Sequence, residues 1–419
     1  MINYRKKAYK VLAIGLCLPL LIQARSGAEQ RFSDSYSRSA IVSDTDTNRI
    51  VYEKNADQVV PMASLTKMMT LLLTFDAISQ KKVDYKDIVT ILPSDVNRVG
   101  TNIKLTAGEQ ISLEELMKGM MIVSANDAAL AISHHVSTTY SKFVEDMNAK
   151  AKEIGMENTV FYNTNGLPTS INVGGKPVGV ENKTSARDVL VLSKYLYDKY
   201  PNQLTAITNM SSYVNPKKAI NEENTNPLLP LIANVDGLKT GFTGAAGYCL
   251  AYSMKIDKGN GNDSANRLIG VSLGASSKEN RKLASYNTLV YINNHYKTKY
   301  LYKKNTTIDR PVINGIPFIK FDLVANKDLC LIQKDTEKLK KTIKYNSVDI
   351  FADNDQPLAN LIYTDDKGNQ VASFDISTRT PLRDMPFLEK CLVSGCAIVG
   401  KALDHITDTN VGPRYTFGE

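Results

Sequence analysis

SLTKMMTLLLTFDAISQ, residues 64–80, places Met68, Leu71, Leu72, Phe75 and Ile78 at steps of three and four, the spacing of an α-helix. Upstream, Ala40-Ile41-Val42 and Arg49-Ile50-Val51-Tyr52 enclose the turn-rich Ser43-Asp44-Thr45-Asp46-Thr47-Asn48, which reads as a β-hairpin. Downstream, Ser112-Leu113-Glu114-Glu115 has the form of a capping box that opens a second helix. A third runs over 185–200, with Ser185 as its N-cap and Pro201 beyond its end. From residue 38 to about 303 strand-like and helical segments alternate, which predicts a mixed α/β domain. Within it, the Gly/Asn-rich Asp257–Asn266 reads as a surface loop between two strands.

Beyond Lys304 the helical spacing stops. Ile319, Phe321 and Leu323 alternate with Lys320 and Asp322, and further short strands are expected near 329–332, 348–351 and 359–363. Asp366-Lys367-Gly368-Asn369 forms a turn between the last of these and Val371–Ile376. The pattern predicts a second, all-β domain over 304–385, after a catalytic-size domain over 29–303. At 386–407 the helical spacing returns, with Leu388, Leu392, Cys396, Val399, Leu403 and Ile406 on one face. A polar tail follows at 408–419.

The 419 residues are 43% hydrophobic and 22% charged, a globular composition that excludes a disordered, collagen-like or disulfide-dense chain. Net charge is +8, but residues 1–28 hold Arg5, Lys6, Lys7, Lys10 and Arg25 with no acid, leaving only +3 on the rest. That is too mild for a nucleic-acid partner. The same 28 residues read as a secretory signal: a basic start, an apolar run from Val11 to Ile22, then Ser26 and Ala28 before the cleavage point. Export is therefore expected. Of the cysteines, Cys17 leaves with the signal, and Cys249, Cys330, Cys391 and Cys396 are too scattered for a disulfide framework or a zinc site. The four histidines, His134, His135, His295 and His405, have no metal-ligand spacing to a carboxylate or thiol, so no metal and no cofactor are expected.

Chemistry concentrates in three short segments. Ser64-Leu65-Thr66-Lys67 puts a hydroxyl and an amine one helical turn apart on the same face. A lysine desolvated in a cleft loses its proton near neutral pH and becomes the base a serine nucleophile needs. By itself such a tetrapeptide is common. Ser124-Ala125-Asn126 follows 60 residues after Ser64, and Lys239-Thr240-Gly241 another 115 residues on. Ser124 can relay a proton, and the Asn126 amide can hold a substrate carbonyl. Lys239 supplies positive charge, and Gly241 lets a strand backbone come close to a substrate.

Taken in this order, the three motifs resemble those of the serine-type D-alanyl-D-alanine carboxypeptidases, the low-molecular-weight penicillin-binding proteins. The middle motif has Ala125 where the usual pattern has Asp. Val235-Asp236-Gly237-Leu238 before the third motif, Phe242-Thr243 and Ala246-Gly247-Tyr248 after it, Asn165-Gly166-Leu167, and Thr184-Ser185-Ala186-Arg187-Asp188 extend the resemblance over almost the whole chain. It implies a penicillin-binding protein/β-lactamase-like domain, an antiparallel sheet with helices on both sides, then a small β domain and a C-terminal amphipathic helix. It also implies that this helix lies on the outer face of the cytoplasmic membrane of a bacterium.

Residue by residue, the resemblance makes Ser64 the nucleophile on the penultimate D-alanine of peptidoglycan pentapeptide stems and Lys67 its base. Ser124 and Lys239 deliver a proton to the departing D-alanine, backbone N–H groups of Ser64 and Phe242 hold the oxyanion, and Arg281 binds the terminal carboxylate with Thr240. β-Lactams acylate the same Ser64. Phe242 and Asn165 stand where many relatives carry His.

Other readings are weaker. A class A β-lactamase needs a carboxylate for its deacylating water, and no E-x-x-L-N segment follows Asn126 at a fitting distance. A D,D-endopeptidase that cuts peptidoglycan cross-links shares all the chemistry. Gly270-Val271-Ser272-Leu273-Gly274 matches a nucleophile elbow, but His295 follows too closely for an intervening acid and helix. A binding-only scaffold has no support in motifs that keep every hydroxyl and amine the chemistry needs.

Overall fold

The computed structural model describes residues 32–96, 99–256, 266–310, 322–346, 357–379 and 384. The expected leader at 1–28, the loop at 257–265, the strand expected at 348–351, the amphipathic helix at 386–407, Cys391, Cys396 and the polar tail lie outside the described residues. The described residues from Asp34 onward belong to one compact unit.

Alternating apolar side chains let one sheet bury both faces. Its antiparallel strands are β1 (Ser39–Asp44), β2 (Ile50–Lys54), β3 (Val235–Thr243), β4 (Gly247–Ile256) and β5 (Asn266–Ala275), in the order β3-β4-β5-β1-β2. Asn266, expected in the loop, is the first residue of β5. β1 pairs with β5, Ser39 opposite Leu273 and Asp44 opposite Leu268, so the two ends of the domain meet in the middle of the sheet. Ile41, Cys249, Ala251, Ile269 and Val271 form one apolar row, and Val42, Leu250, Tyr252 and Leu268 the other. The first row packs with α1 (Lys67–Ser79) and α5 (Ala186–Lys199), the second with Leu289 and Ile292 of α7 (Lys278–His295). This is the expected antiparallel sheet with helices on both sides.

The remaining helices are α2 (Leu113–Ile122), α3 (Asn126–Val136), α4 (Tyr140–Glu153) and α6 (Pro201–Thr208). The caps read from sequence form: Ser112 accepts from the Glu115 N–H at 3.3 Å and Ser185 from that of Asp188 at 3.1 Å. Pro201 ends α5 as expected, but it also opens α6 as its first residue, where a missing N–H costs nothing. The steps of three and four in α1 mark only part of its buried surface. Met68, Met69, Thr70, Leu71, Leu72, Thr74 and Phe75 are all buried, and its two threonines donate to the carbonyls of Thr164 and Thr70, each at 2.7 Å.

A second antiparallel sheet follows α7. β6 (Tyr296–Tyr302), N-terminal to the expected boundary at 303, pairs with β9 (Leu329–Lys334). β7 (Thr307–Asp309), β8 (Leu323–Ala325), β10 (Lys340–Tyr345), β11 (Ala359–Thr364) and β12 (Gln370–Thr378) form a sheet of order β7-β8-β12-β11-β10. Leu323, Leu329, Leu331, Leu361, Phe374 and Ile376 make its own core. The turn read at 366–369 closes the β11–β12 hairpin, with the Asp365 N–H donating to the Asn369 carbonyl at 2.9 Å. Arg49, just before β2, ties the main sheet to the β6–β9 pair: its guanidinium meets the Glu337 carboxylate at 2.6 Å and donates to the Ile332 carbonyl at 2.5 Å. Among the described residues no helix is long and apolar enough to cross a membrane.

Candidate active site

Ser64 lies in a 3-10 turn, Ala63–Thr66, that leads into α1, rather than at the helix cap. Ala63 before it has φ of +49°, in the left-handed region that a residue with a Cβ avoids, a local cost of about 1–3 kcal/mol carried where geometry matters. Lys67 follows one turn later and is fully buried. Its Nζ lies 2.8 Å from Ser64 Oγ, 2.7 Å from Asn126 Oδ1 and 2.7 Å from the Asn165 carbonyl oxygen. A neutral amine has two N–H groups for the two carbonyl-type oxygens, which leaves its lone pair to accept the Ser64 O–H. Burial, then the like charge of Lys239, hold the Lys67 amine well below the usual lysine range, with Asp127 pulling the other way.

Asn126 and Asp127 enter from the start of α3. The Asn126 amide donates to the Val99 carbonyl at 2.9 Å while its oxygen meets Lys67, so both ends of the side chain are fixed. Asp127 accepts backbone N–H bonds from Ile103, Leu105 and Ala128 at 2.9–3.1 Å, and burial raises its pKa. Ser124 sits in the bend between α2 and α3 with φ of +70°, 9% exposed, the second left-handed residue of the cleft. The bend is held by the Ala125 N–H on the Gly119 carbonyl at 3.1 Å and the Asn126 N–H on the Thr101 carbonyl at 2.8 Å.

The third segment lies on β3, which is an edge strand of the main sheet. A Cβ on Gly241 would stand 3.1 Å from both the Ser64 nitrogen and the Met62 carbonyl oxygen, so any other residue would press the strand or the Ser64 turn apart by a few tenths of an ångström. Lys239 is buried and donates to the Thr240 carbonyl at 2.9 Å; burial, then the neighbouring Arg281 charge, lower its pKa to about 7. Arg281, on the first turns of α7, is also buried, has its guanidinium 5.9 Å from the Tyr248 ring centre, and is lowered in pKa by burial. Its Nε has no partner, and neither Lys239 nor Arg281 forms an ion pair, among the described residues. Two desolvated basic side chains without a carboxylate partner among the described residues suit an anionic ligand. Thr240 Oγ1 donates to Thr225 Oγ1 at 2.7 Å, and Phe242 is 53% exposed and stacks on Tyr248 with ring centres 4.2 Å apart.

Ser64, Lys67 and Asn126 are joined by direct hydrogen bonds, and Gly241 abuts the Ser64 turn. Lys239 is close enough for its charge to act on Lys67, and Arg281 on Lys239. Ser272, the nucleophile-elbow alternative, is a buried residue paired within β5, not on the turn that joins β5 to α7, and its hydroxyl accepts from Ser285 of α7 at 3.3 Å. Thr225 and the Asn165 carbonyl escaped the sequence reading, the first because no motif marks it and the second because a backbone oxygen leaves no signature.

Fold and cluster together fit a serine-type acyl-transfer enzyme, with a buried amine in contact with the serine hydroxyl. Comparison with known proteins narrows this. A family model for D-alanyl-D-alanine carboxypeptidases matches residues 25–277. The D-alanyl-D-alanine carboxypeptidase DacF of Bacillus subtilis is 30% identical over 393 residues, 91% of this chain and 96% of the relative. A D-alanyl-D-alanine endopeptidase of Escherichia coli is 32% identical over 254 residues, 59% of this chain and 77% of that one. Among solved structures, penicillin binding protein 5 from Haemophilus influenzae superposes with a TM-score of 0.69 at 26% identity, over 84% of this chain and 99% of the other. The chain belongs to the D-alanyl-D-alanine carboxypeptidase family of serine peptidases, the low-molecular-weight penicillin-binding proteins.

Proposed function

We propose that the chain removes the terminal D-alanine from peptidoglycan pentapeptide stems through an acyl-enzyme on Ser64. The observation that carries this is the 2.8 Å contact between the Ser64 hydroxyl and a buried, pKa-lowered Lys67 amine that has no free donor left over. Ser64 Oγ attacks the carbonyl of the penultimate D-alanine as its proton passes to Lys67 Nζ. The oxyanion accepts from the backbone N–H groups of Ser64 and Phe242. The proton then travels by way of Ser124 to the nitrogen of the departing D-alanine, with Lys239 holding the local field positive. Water hydrolyses the ester and Ser64 recovers its proton. Lys239, Thr240 and Arg281 bind the terminal carboxylate, which supports an enzyme that acts at a free C-terminus. A β-lactam places its own carboxylate and amide carbonyl in the same positions and acylates Ser64.

Incubation with a fluorescent penicillin, digestion and mass spectrometry test the site. An adduct on Ser64 is expected, and an unmodified Ser64 in folded protein would overturn the reading. Release of D-alanine from a pentapeptide, measured beside cleavage of a cross-linked dimer, separates carboxypeptidase from endopeptidase action.

The anion receptor has a pH signature. Lys239 is charged below about 7 and loses its proton above it, while the substrate carboxylate stays ionised throughout. KM for a pentapeptide is therefore expected to rise as pH climbs through about 7, a trend a KM–pH series would read directly.

The same reading puts the enzyme in the cell envelope. The leader at 1–28 supports export, and the apolar face at 386–407 supports attachment to the outer face of the cytoplasmic membrane.

A further inference from the structure

One side chain joins the turn that carries Ser64 to the loop that carries Asn165. Asn182 is 1% exposed and follows the hairpin of strands Thr169–Val173 and Lys176–Val180. Its Oδ1 accepts from the backbone N–H groups of Tyr162 at 2.7 Å and Asn163 at 3.1 Å. Its Nδ2 donates to the Asn163 carbonyl at 3.0 Å and to Thr66 Oγ1 at 2.8 Å. Both donors and both acceptor directions of the amide are thus used, a fully satisfied buried network. The Asn182 carbonyl also accepts from the Met62 N–H at 3.0 Å, two residues before the nucleophile.

Each partner passes the constraint on. Thr66 Oγ1 donates to the Ala63 carbonyl at 2.8 Å, inside the Ser64 turn. Asn163 Oδ1 accepts from the Gly166 N–H at 2.7 Å and the Asn165 N–H at 3.3 Å, which orients the peptide whose carbonyl meets Lys67. Loop and turn touch so closely that a Cβ on Gly166, at φ of +84°, would lie 1.9 Å from the Ala63 carbonyl oxygen.

We infer that Asn182 is a positioning residue for the base: it keeps the Asn165 carbonyl in register with the Ser64 turn, so that the Lys67 lone pair stays on the Ser64 hydroxyl. This rests on the assignment of Ser64 and Lys67 as nucleophile and base. Without the clamp the carbonyl drifts, the amine turns with it, and a displacement of about 1 Å at the reacting atoms is worth about a hundredfold in rate. Loss of that carbonyl also removes a group that favours the ammonium form, so Lys67 ionises at lower pH.

The test compares Asn182→Ala with Asn148→Ala in the full chain. Asn148 does a matching structural job one step along the same segment, bonding the Phe161 N–H at 2.9 Å, the Phe161 carbonyl at 2.8 Å and the Val144 carbonyl at 3.0 Å, without touching the Ser64 turn. Wild-type protein is first labelled with fluorescent penicillin; failure to find the adduct on Ser64 would sink the underlying assignment, not this inference alone. Given that adduct, Asn182→Ala is expected to acylate about a hundredfold more slowly, with the pH midpoint of acylation lowered by about half a unit, while Asn148→Ala stays within about threefold and keeps the midpoint. Equal losses in both variants, or an unmoved midpoint in Asn182→Ala, would overturn the inference. Should Asn182→Ala not fold, Thr66→Val cuts the same link from the other end, and the same midpoint shift is required of it.

Discussion

Ser64→Ala is expected to abolish the penicillin adduct and to lower D-alanine release by about 10⁴-fold or more, with the melting temperature nearly unchanged. The size follows from what the hydroxyl does. Ser64 carries the hydroxyl that contacts the Lys67 amine, and without it Lys67 would have to activate a water in a space shaped for an oxygen on Cβ. Residual turnover would reflect the oxyanion donors and binding alone. The unchanged stability follows from the packing: among the described residues Ser64 Oγ is hydrogen-bonded to Lys67 alone, which keeps its Asn126 and Asn165 partners when the hydroxyl goes. Calorimetry beside the adduct assay checks both halves. A Ser64→Ala protein that still traps penicillin covalently would disprove the assignment.

Lys67→Met should cost nearly as much in acylation, about 10³- to 10⁴-fold, for a different reason. The serine stays, correctly placed, but has no base, and a hydroxyl at neutral pH is almost wholly protonated. Methionine matches the length of the lysine stem and suits a site that is entirely buried. The unfolded chain carries a charged lysine at pH 7, whereas the folded site holds the amine well below its usual pKa, so burial of Lys67 works against folding below the unfolded pKa. Removing it relieves that cost and leaves the Asn126 and Asn165 oxygens one donor short. Retained folding with lost acylation is the expected pair of results, and a stopped-flow acylation rate within tenfold of wild type would show that another group is the base.

How much of this could be read from sequence depends on how local the cause is. The Ser64–Lys67 pair was legible because three residues on a helical path suffice to bring hydroxyl and amine together. Helix caps at Ser112 and Ser185 were legible for the same reason. The Ser124–Asn126 segment, Lys239 and Arg281 come from separate parts of the chain, and only a resemblance of ordered motifs could group them. Asn182 and Thr225 had no such signal. Asn182 reaches Thr66 across 116 positions, and its neighbours in sequence are an exposed hairpin and a cap. α6 was missed because Pro201 stops one helix and starts the next. The strand Lys340–Tyr345 was missed because four of its six residues are exposed, all of them lysine or threonine on an edge strand.

The placement of Lys239-Thr240-Gly241 on an edge strand carries a liability that no assay of turnover would reveal. A strand with an open flank presents unpaired amides and carbonyls to any extended chain, including the same strand of another copy, and long exposed edges seed aggregation, whereas eight of the nine residues of β3 are buried. Here the Ser64 turn stands against Gly241 and narrows the flank at the point where chemistry occurs. The turn that holds Ser64 therefore acts as a gatekeeper as well: standing against Gly241, it obstructs the broad lateral pairing by which edge strands polymerise. Concentrated protein in which Gly241 or the turn has been altered should therefore be examined for self-association as well as for lost activity.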